Sequence, residues 1–393
     1  MKKMKRRVYM DYGAAMPLDP RVLEAMMPYF TQVCGNPSSV HSLGREPRRS
    51  LEDSRGKVAQ LVGARILEEI IFTSGATESN NLAIKGVAYR NRNRGNHIIT
   101  TTIEHMSVLN PCKSLGKEGF EITYVPVDHQ GVVNLEKLEG AINDRTILIS
   151  VIYANGEIGT IQPIKEIGKI ARDHGVYLHV DGTAAVGKVP VNVEEESIDL
   201  LTISSNDMYG PKGIGVLYVK RGTRIQPVIH GGGQEGGLRS GTENTPAIVG
   251  MGKAAEIAQA EMESEGKRLS HLRDRLISGV LENVKDSHLN GHPTKRLPNN
   301  ANLRFSYIEG ESLILSLDML DIQVSSGSAC TSKTLEPSHV LLAIGLAHEE
   351  AHGSLLFTLG KQNTEEDVDY VLEALPNVVK RLREISPLAP KIM

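Results

Sequence analysis

Tryptophan is absent, cysteine is scarce, and no apolar run approaches the length needed to span a bilayer. The three cysteines, Cys34, Cys112 and Cys330, are too few and too scattered for a disulfide framework or a Cys-x-x-Cys metal knuckle. Thiol chemistry therefore rests on a single cysteine. Neither sign of charge dominates: 44 Lys and Arg against 47 Asp and Glu leave a net charge of −3, with no broad basic field for nucleic acid. Neither nucleic acid nor membrane is expected as a partner. The basic start, Met1 to Arg7, leads directly into strand-like Val8-Tyr9-Met10-Asp11, without the apolar core and cleavage site of a signal peptide, so a cytoplasmic location is expected. The low aromatic content carries no functional signal.

At 393 residues the chain is long enough for a large core and more than one domain. Short β-branched runs alternate with helical stretches: Ile70-Phe72, His97-Thr101, Glu121-Val125, Ile147-Ile152, Tyr177-Val180, Leu200-Ile203 and Gly215-Val219. That rhythm predicts an α/β fold with a mostly parallel sheet wrapped by helices, in which ligands gather at the carboxyl ends of the strands. From Pro246 to about Val284 the pattern becomes helical. Strand-like Ala301-Phe305 and Ile322-Val324 and a final helix around Glu365-Ile385 predict a smaller α+β domain. The expected division is 16–260 for the large domain, and 1–15 with 261–393 for the small one. The glycine-rich run Gly231 to Gly237 fits no dinucleotide or P-loop fingerprint; it reads as a mobile connection or a ligand-facing loop.

Candidate site residues follow the strands. Gly75, Ala76 and Thr77 follow one strand and open a helix, where backbone N–H groups can cradle a phosphate; a helix cap built on Thr77 is the alternative. Asp181 ends a buried strand, where a carboxylate needs a partner; a pyridinium nitrogen would serve, and a helix cap is the alternative. His105 suits a position flat against a cofactor ring, or a structural role.

Taken together, the phosphate loop, His105, Asn155-Gly156-Glu157-Ile158-Gly159, Asp181, Ser204, Tyr209 to Gly213, Arg239 to Thr242 and Ser325 to Cys330 resemble the NifS/IscS-like cysteine desulfurases in order and approximate spacing. The resemblance covers the chain from Asp11 to the terminal helix. It implies a fold-type-I aminotransferase-like architecture, pyridoxal phosphate as cofactor, and a homodimer in which Thr242 reaches the neighbouring subunit's phosphate site. It also implies that Asn155, Ser204 and Asn206 belong to the cofactor site, and that Cys330 takes sulfur from substrate as a persulfide.

Several positions depart from the family pattern. Asp207 stands where the resemblance expects the Schiff-base lysine, and an aspartate cannot form an imine. Asn206 replaces a histidine, Ala184 a glutamine on the cofactor's phenolic oxygen, and Leu356 the arginine that clamps the substrate carboxylate; Tyr12-Gly13-Ala14-Ala15 departs near the N-terminus. A positioned acid–base group is worth about 10²–10⁴ in rate, and a hydrogen bond to a charged group about 1.5–3 kcal/mol. These losses favour a cysteine-desulfurase-like component of iron–sulfur cluster assembly that lacks conventional activity. It would present Cys330 to an IscU-type scaffold in a 2:2 complex, as a shared [2Fe-2S] ligand or a sulfur relay, with pyridoxal phosphate noncovalent if present. The alternatives are an active desulfurase making L-alanine and a Cys330 persulfide, an enzyme using pyridoxamine phosphate, and a purely structural dimer.

Overall fold

The computed structural model describes residues 6–327 and 337–387. Short β1 (Val8–Tyr9) is followed by the strands of the principal sheet: β2 (Ile70–Thr73), β3 (His97–Thr101), β4 (Glu121–Val125), β5 (Thr146–Ile152), β6 (Tyr177–Asp181), β7 (Leu200–Ser204) and β8 (Gly215–Val219). Each run expected from the sequence is present, within one residue at either end. The spatial order is β2-β8-β7-β6-β5-β3-β4. Pairing is parallel from β7 through β4, and only β8 runs against its two neighbours. The carboxyl ends of β2, β3, β5, β6 and β7 therefore share one edge of the sheet.

Alternation along the strands sets the two faces, because successive side chains point oppositely. Ile98, Leu148, Leu200 and Leu217 pack on one face with Leu82, Ile84 and Val87 of the helix Ala76–Arg90. Ile99, Ile149, Leu201 and Val216 pack on the other with Val58 and Val62 of the helix Ser42–Val62. Both faces are covered, which is why these strands read as continuous apolar runs.

The rest of the chain builds a second core. β9 (Ser287–Asn290), β10 (Asn300–Phe305) and β12 (Ser354–Thr358) form an antiparallel sheet, and β11 (Ile322–Gln323) pairs in parallel with β1. Val8 and Met10 pack here with Leu303, Phe357 and Val371, so the N-terminal residues join the C-terminal layer. The helix Thr245–Asn283 starts with Pro at its first turn and an Asn244 cap, contributes Ala247 to Ile257 to the first core, and contributes Leu269 to Val280 to the second. Among the described residues, no helix is long and apolar enough to cross a membrane.

The glycine-rich run corrects one expectation, since it is anchored rather than free. The Glu235 carboxylate accepts from Arg55 Nη1 and Nη2 at 2.9 and 2.8 Å and from the Phe72 backbone N–H at 2.8 Å. Arg55 also donates to the Ile70 carbonyl, tying the run to β2. Both side chains are buried, so breaking the pair leaves a charge without its partner. Glu235→Ala is expected to lower the unfolding free energy by about 3–5 kcal/mol, read from urea denaturation, with a smaller loss when Arg55 and Glu235 are both replaced by apolar residues. Equal losses in the single and double variants would contradict this account of the pair.

Candidate active site

At the shared carboxyl edge lies a cleft of about 670 Å³, lined from both layers. Asp181, the final residue of β6, lines it and is only 2% exposed. Oδ2 accepts from Asn80 Nδ2 at 2.8 Å and Oδ1 from the Thr183 N–H at 3.1 Å, so Asp181 caps a turn rather than a helix. Asn80 Nδ2 also donates to Ser107 Oγ at 2.7 Å, and Ser107 Oγ lies 2.7 Å from His105 Nδ1. The Ser107 backbone N–H donates to the same Nδ1, which makes it an acceptor and places the neutral ring's proton on Nε2. The hydrogen-bond chain thus fixes an aspartate and an imidazole at one site.

The helix Ala76–Arg90 points its N-terminus at the cleft, where Ala76 and Thr77 form part of the wall. Gly75 is its cap, with φ 147° and no side-chain hydrogen bond, so the expected alternative of a Thr77 cap does not hold. A Cβ on Gly75 would meet no atom within 4 Å. Open space before free helix N–H groups suits an anion. Glu78 in the first turn accepts from Ser74 N–H at 2.7 Å and from Arg239 Nε at 3.0 Å, holding a guanidinium nearby.

Ser204 at the end of β7, and Asn206 and Asp207 in the loop after it, line the cleft. Asp207 Oδ1 lies 3.8 Å from Lys188 Nζ. Lys212, on the same loop, is exposed and donates to the Met16 carbonyl at 3.2 Å. Asn155 also lines the cleft, but it donates to the Ile103 carbonyl and accepts from the Glu157 and Ile158 N–H groups, so it shapes the following turn. Ala184 and Leu356 contribute apolar wall. Thr242 is exposed and does not line the cleft of its own chain. Cys330, the expected persulfide and metal residue, lies outside the described residues; Ser325 and Gly327 before it and Ser338 and His339 after it all line the cleft.

Sequence reasoning assigned no role to Asn80, Glu104, Glu157 or Lys188, which the fold brings to the same place. Glu104 accepts from Thr101 Oγ1 at 2.6 Å and from the Ile152 N–H at 2.9 Å; burial, with the charge of Asp181 adding to it, pushes its carboxyl up to about 8. Glu157 accepts from Ser338 Oγ at 2.8 Å and is pushed up to about 7 by burial. No local sequence signal marked them, since their partners come from segments remote in the chain. Buried polar atoms with no partner among the described residues, including Thr183 Oγ1, Asn206 Oδ1 and Asp11 Oδ1, belong to residues of the cleft wall. Together with the Gly75 cradle and Asp181, they fit a phosphorylated pyridine.

A mixed, mostly parallel seven-stranded sheet, a smaller antiparallel sheet, and a buried carboxylate and a helix N-terminus lining one cleft define a fold-type-I pyridoxal-phosphate protein. The aminotransferase class-V model matches residues 8–371, and the chain belongs to that family, among its NifS/IscS cysteine desulfurases. It is 60% identical over 380 residues to cysteine desulfurase IscS 1 of Archaeoglobus fulgidus, covering 97% of this chain and 99% of that protein. It is 53% identical over 384 residues to cysteine desulfurase IscS of Dictyoglomus turgidum, covering 98% and 97%. The solved structure of a NifS-like protein superposes with a TM-score of 0.90 at 40% identity, covering 96% of this chain and 100% of that one.

The raised Glu104 carboxyl has a pH signature. The folded chain keeps its proton up to about 8, whereas the unfolded chain releases it near the ordinary 4.5. Between these values the unfolded state binds fewer protons, so the stability contributed by protonated Glu104 falls as pH rises and is lost through about 8. Glu104→Gln is expected to flatten the thermal midpoint against pH across that window. Parallel curves for variant and wild type would show that Glu104 ionises normally in the fold.

Proposed function

We propose that this protein is a pyridoxal-phosphate-dependent cysteine desulfurase: L-cysteine and the Cys330 thiol give L-alanine and a Cys330 persulfide. The observation that carries this reading is that the Asp181 carboxylate, the open N-terminus of the helix Ala76–Arg90 and both flanks of the Cys330 segment line one cleft. Relatives named cysteine desulfurase that match nearly the whole chain support retained activity over the inactive sulfur-relay role favoured by the sequence departures.

The bound cofactor would supply an electron sink for the bond-breaking steps. Asp181, kept in place by Asn80 and the Thr183 N–H, would hold a proton on the cofactor's ring nitrogen through a charge-assisted hydrogen bond. The N–H groups of Ala76 and Thr77 would hold its phosphate, and His105, oriented through Ser107, would lie beside its ring. Asp207 accepts and returns protons. A homodimer is the working unit, with Thr242 completing the neighbouring phosphate site, and an IscU-type scaffold takes up the persulfide sulfur for iron–sulfur assembly.

Leu356 leaves an apolar wall where the family resemblance expects a guanidinium, so the substrate carboxylate is held weakly. The purified full chain, supplied with pyridoxal phosphate and L-cysteine, is expected to release alanine and, with a reductant, sulfide; Cys330→Ser should abolish both. Leu356→Arg should lower KM by about tenfold to a hundredfold, the value of one hydrogen bond between charged groups. Absence of alanine from the wild-type protein at saturating cysteine would overturn the assignment.

A further inference from the structure

Joining a protein to an aldehyde at neutral pH takes an uncharged amine, and residue 207 is an aspartate. Among the described residues that line the cleft, Lys188 is the sole lysine. It stands in the tight turn that leaves β6 just after Asp181. There, Val186 N–H donates to the Gly182 carbonyl at 2.9 Å and Lys188 N–H to the Ala185 carbonyl at 2.9 Å, with Ala185 and Val186 in the core. Gly187 has φ 81°, and a Cβ there would fall 2.7 Å from Met208 Cγ, so the turn is seated directly against the loop that carries Asp207. The Lys188 side chain is 12% exposed.

The ammonium is poorly accommodated. It offers three donors, and among the described residues it makes one hydrogen bond, 3.1 Å to the Ala184 carbonyl. The Asp207 carboxylate at 3.8 Å attracts it without reaching hydrogen-bond distance. Burial pulls the Lys188 amine below its usual range, more strongly than the neighbouring Asp207 raises it. A buried amine with one hydrogen bond and a carboxylate 3.8 Å away has the parts of a reactive lysine.

We propose that Lys188 is the amine through which this cleft takes up an aldehyde-bearing cofactor, with Asp207 as its proton acceptor. This rests on the reading of the cleft as a pyridoxal-phosphate site and replaces the noncovalent binding that Asp207 alone implies. In the step, Lys188 first gives a proton to Asp207 through one water across the 3.8 Å gap, and the freed Nζ lone pair attacks the aldehyde carbon. A C–N single bond forms as the C=O π pair moves to oxygen. The two remaining N–H protons are transferred to that oxygen, which departs as water as the second C–N bond forms. Amine plus aldehyde gives imine plus water, and no oxidant or reductant is consumed.

Mapping of a reduced adduct tests this in the absence of cysteine. The full-length protein is incubated with pyridoxal phosphate, treated with borohydride, digested and analysed by mass spectrometry. A stoichiometric phosphopyridoxyl mass on Lys188 is expected, lost in Lys188→Arg and Lys188→Gln and diminished in Asp207→Asn; the arginine variant keeps the charge beside Asp207, and its thermal midpoint reports that it folds. An adduct on Lys212 or any other lysine, or none in the wild-type protein, overturns the proposal. The readout is independent of desulfurase activity. A Lys188 adduct in a protein that releases no alanine supports the proposal and removes the desulfurase reading, whereas alanine release without that adduct overturns the proposal and leaves the reading standing.

Discussion

The site depends on how one carboxylate is held. Asp181 ends a strand in the middle of the principal sheet, where water is excluded and a charge must be matched. Its partners come from elsewhere in the chain: Asn80 from the helix after β2, and the Thr183 N–H from the turn after β6. Asn80 also reaches Ser107, and Ser107 orients His105 beyond β3. One buried amide thus ties together the segments after three strands, and the parallel arrangement brings those segments to the same edge. If β6 were reversed, Asp181 would lie at the opposite edge, far from the phosphate cradle and the imidazole.

The same exclusion of water governs the other ionisable groups of the cleft. Glu104 and Glu157 are held toward their protonated forms by burial, and Lys188 toward its neutral form. Among the described residues five acidic side chains line the cleft, Asp11, Glu104, Glu157, Asp181 and Asp207, and an anion is accommodated there more easily when Glu104 and Glu157 keep their protons. The helix N-terminus and the Arg239 guanidinium held by Glu78 then supply fixed positive potential beside the phosphate cradle. Proton placement here follows from solvent exclusion as much as from residue type.

The strand and helix pattern was legible in the sequence because β-branched runs alternate with helical periodicity, and both faces of each central strand are covered. Gly75, Asp181, His105 and Ser204 were legible for the same reason, since they stand immediately after those runs. Glu235 was not, because its partner Arg55 lies far away in sequence and a glycine-rich run carries no sign of a buried ion pair. Nor was Lys188, which in the sequence is an ordinary lysine after Gly187 and gains its meaning from the approach of Asp207 across a separate loop.

By itself, the sequence determined the order of elements, the class of fold and the residue types at the strand ends, because periodicity and turn chemistry are local properties. Tertiary structure alone decided that Asn80 would serve Asp181, that Glu104 would hold its proton, and that the cleft's amine would stand at Lys188 while Lys212 turned outward. Those outcomes depend on distances between segments remote in sequence and on the water removed when they meet, quantities that no local pattern encodes.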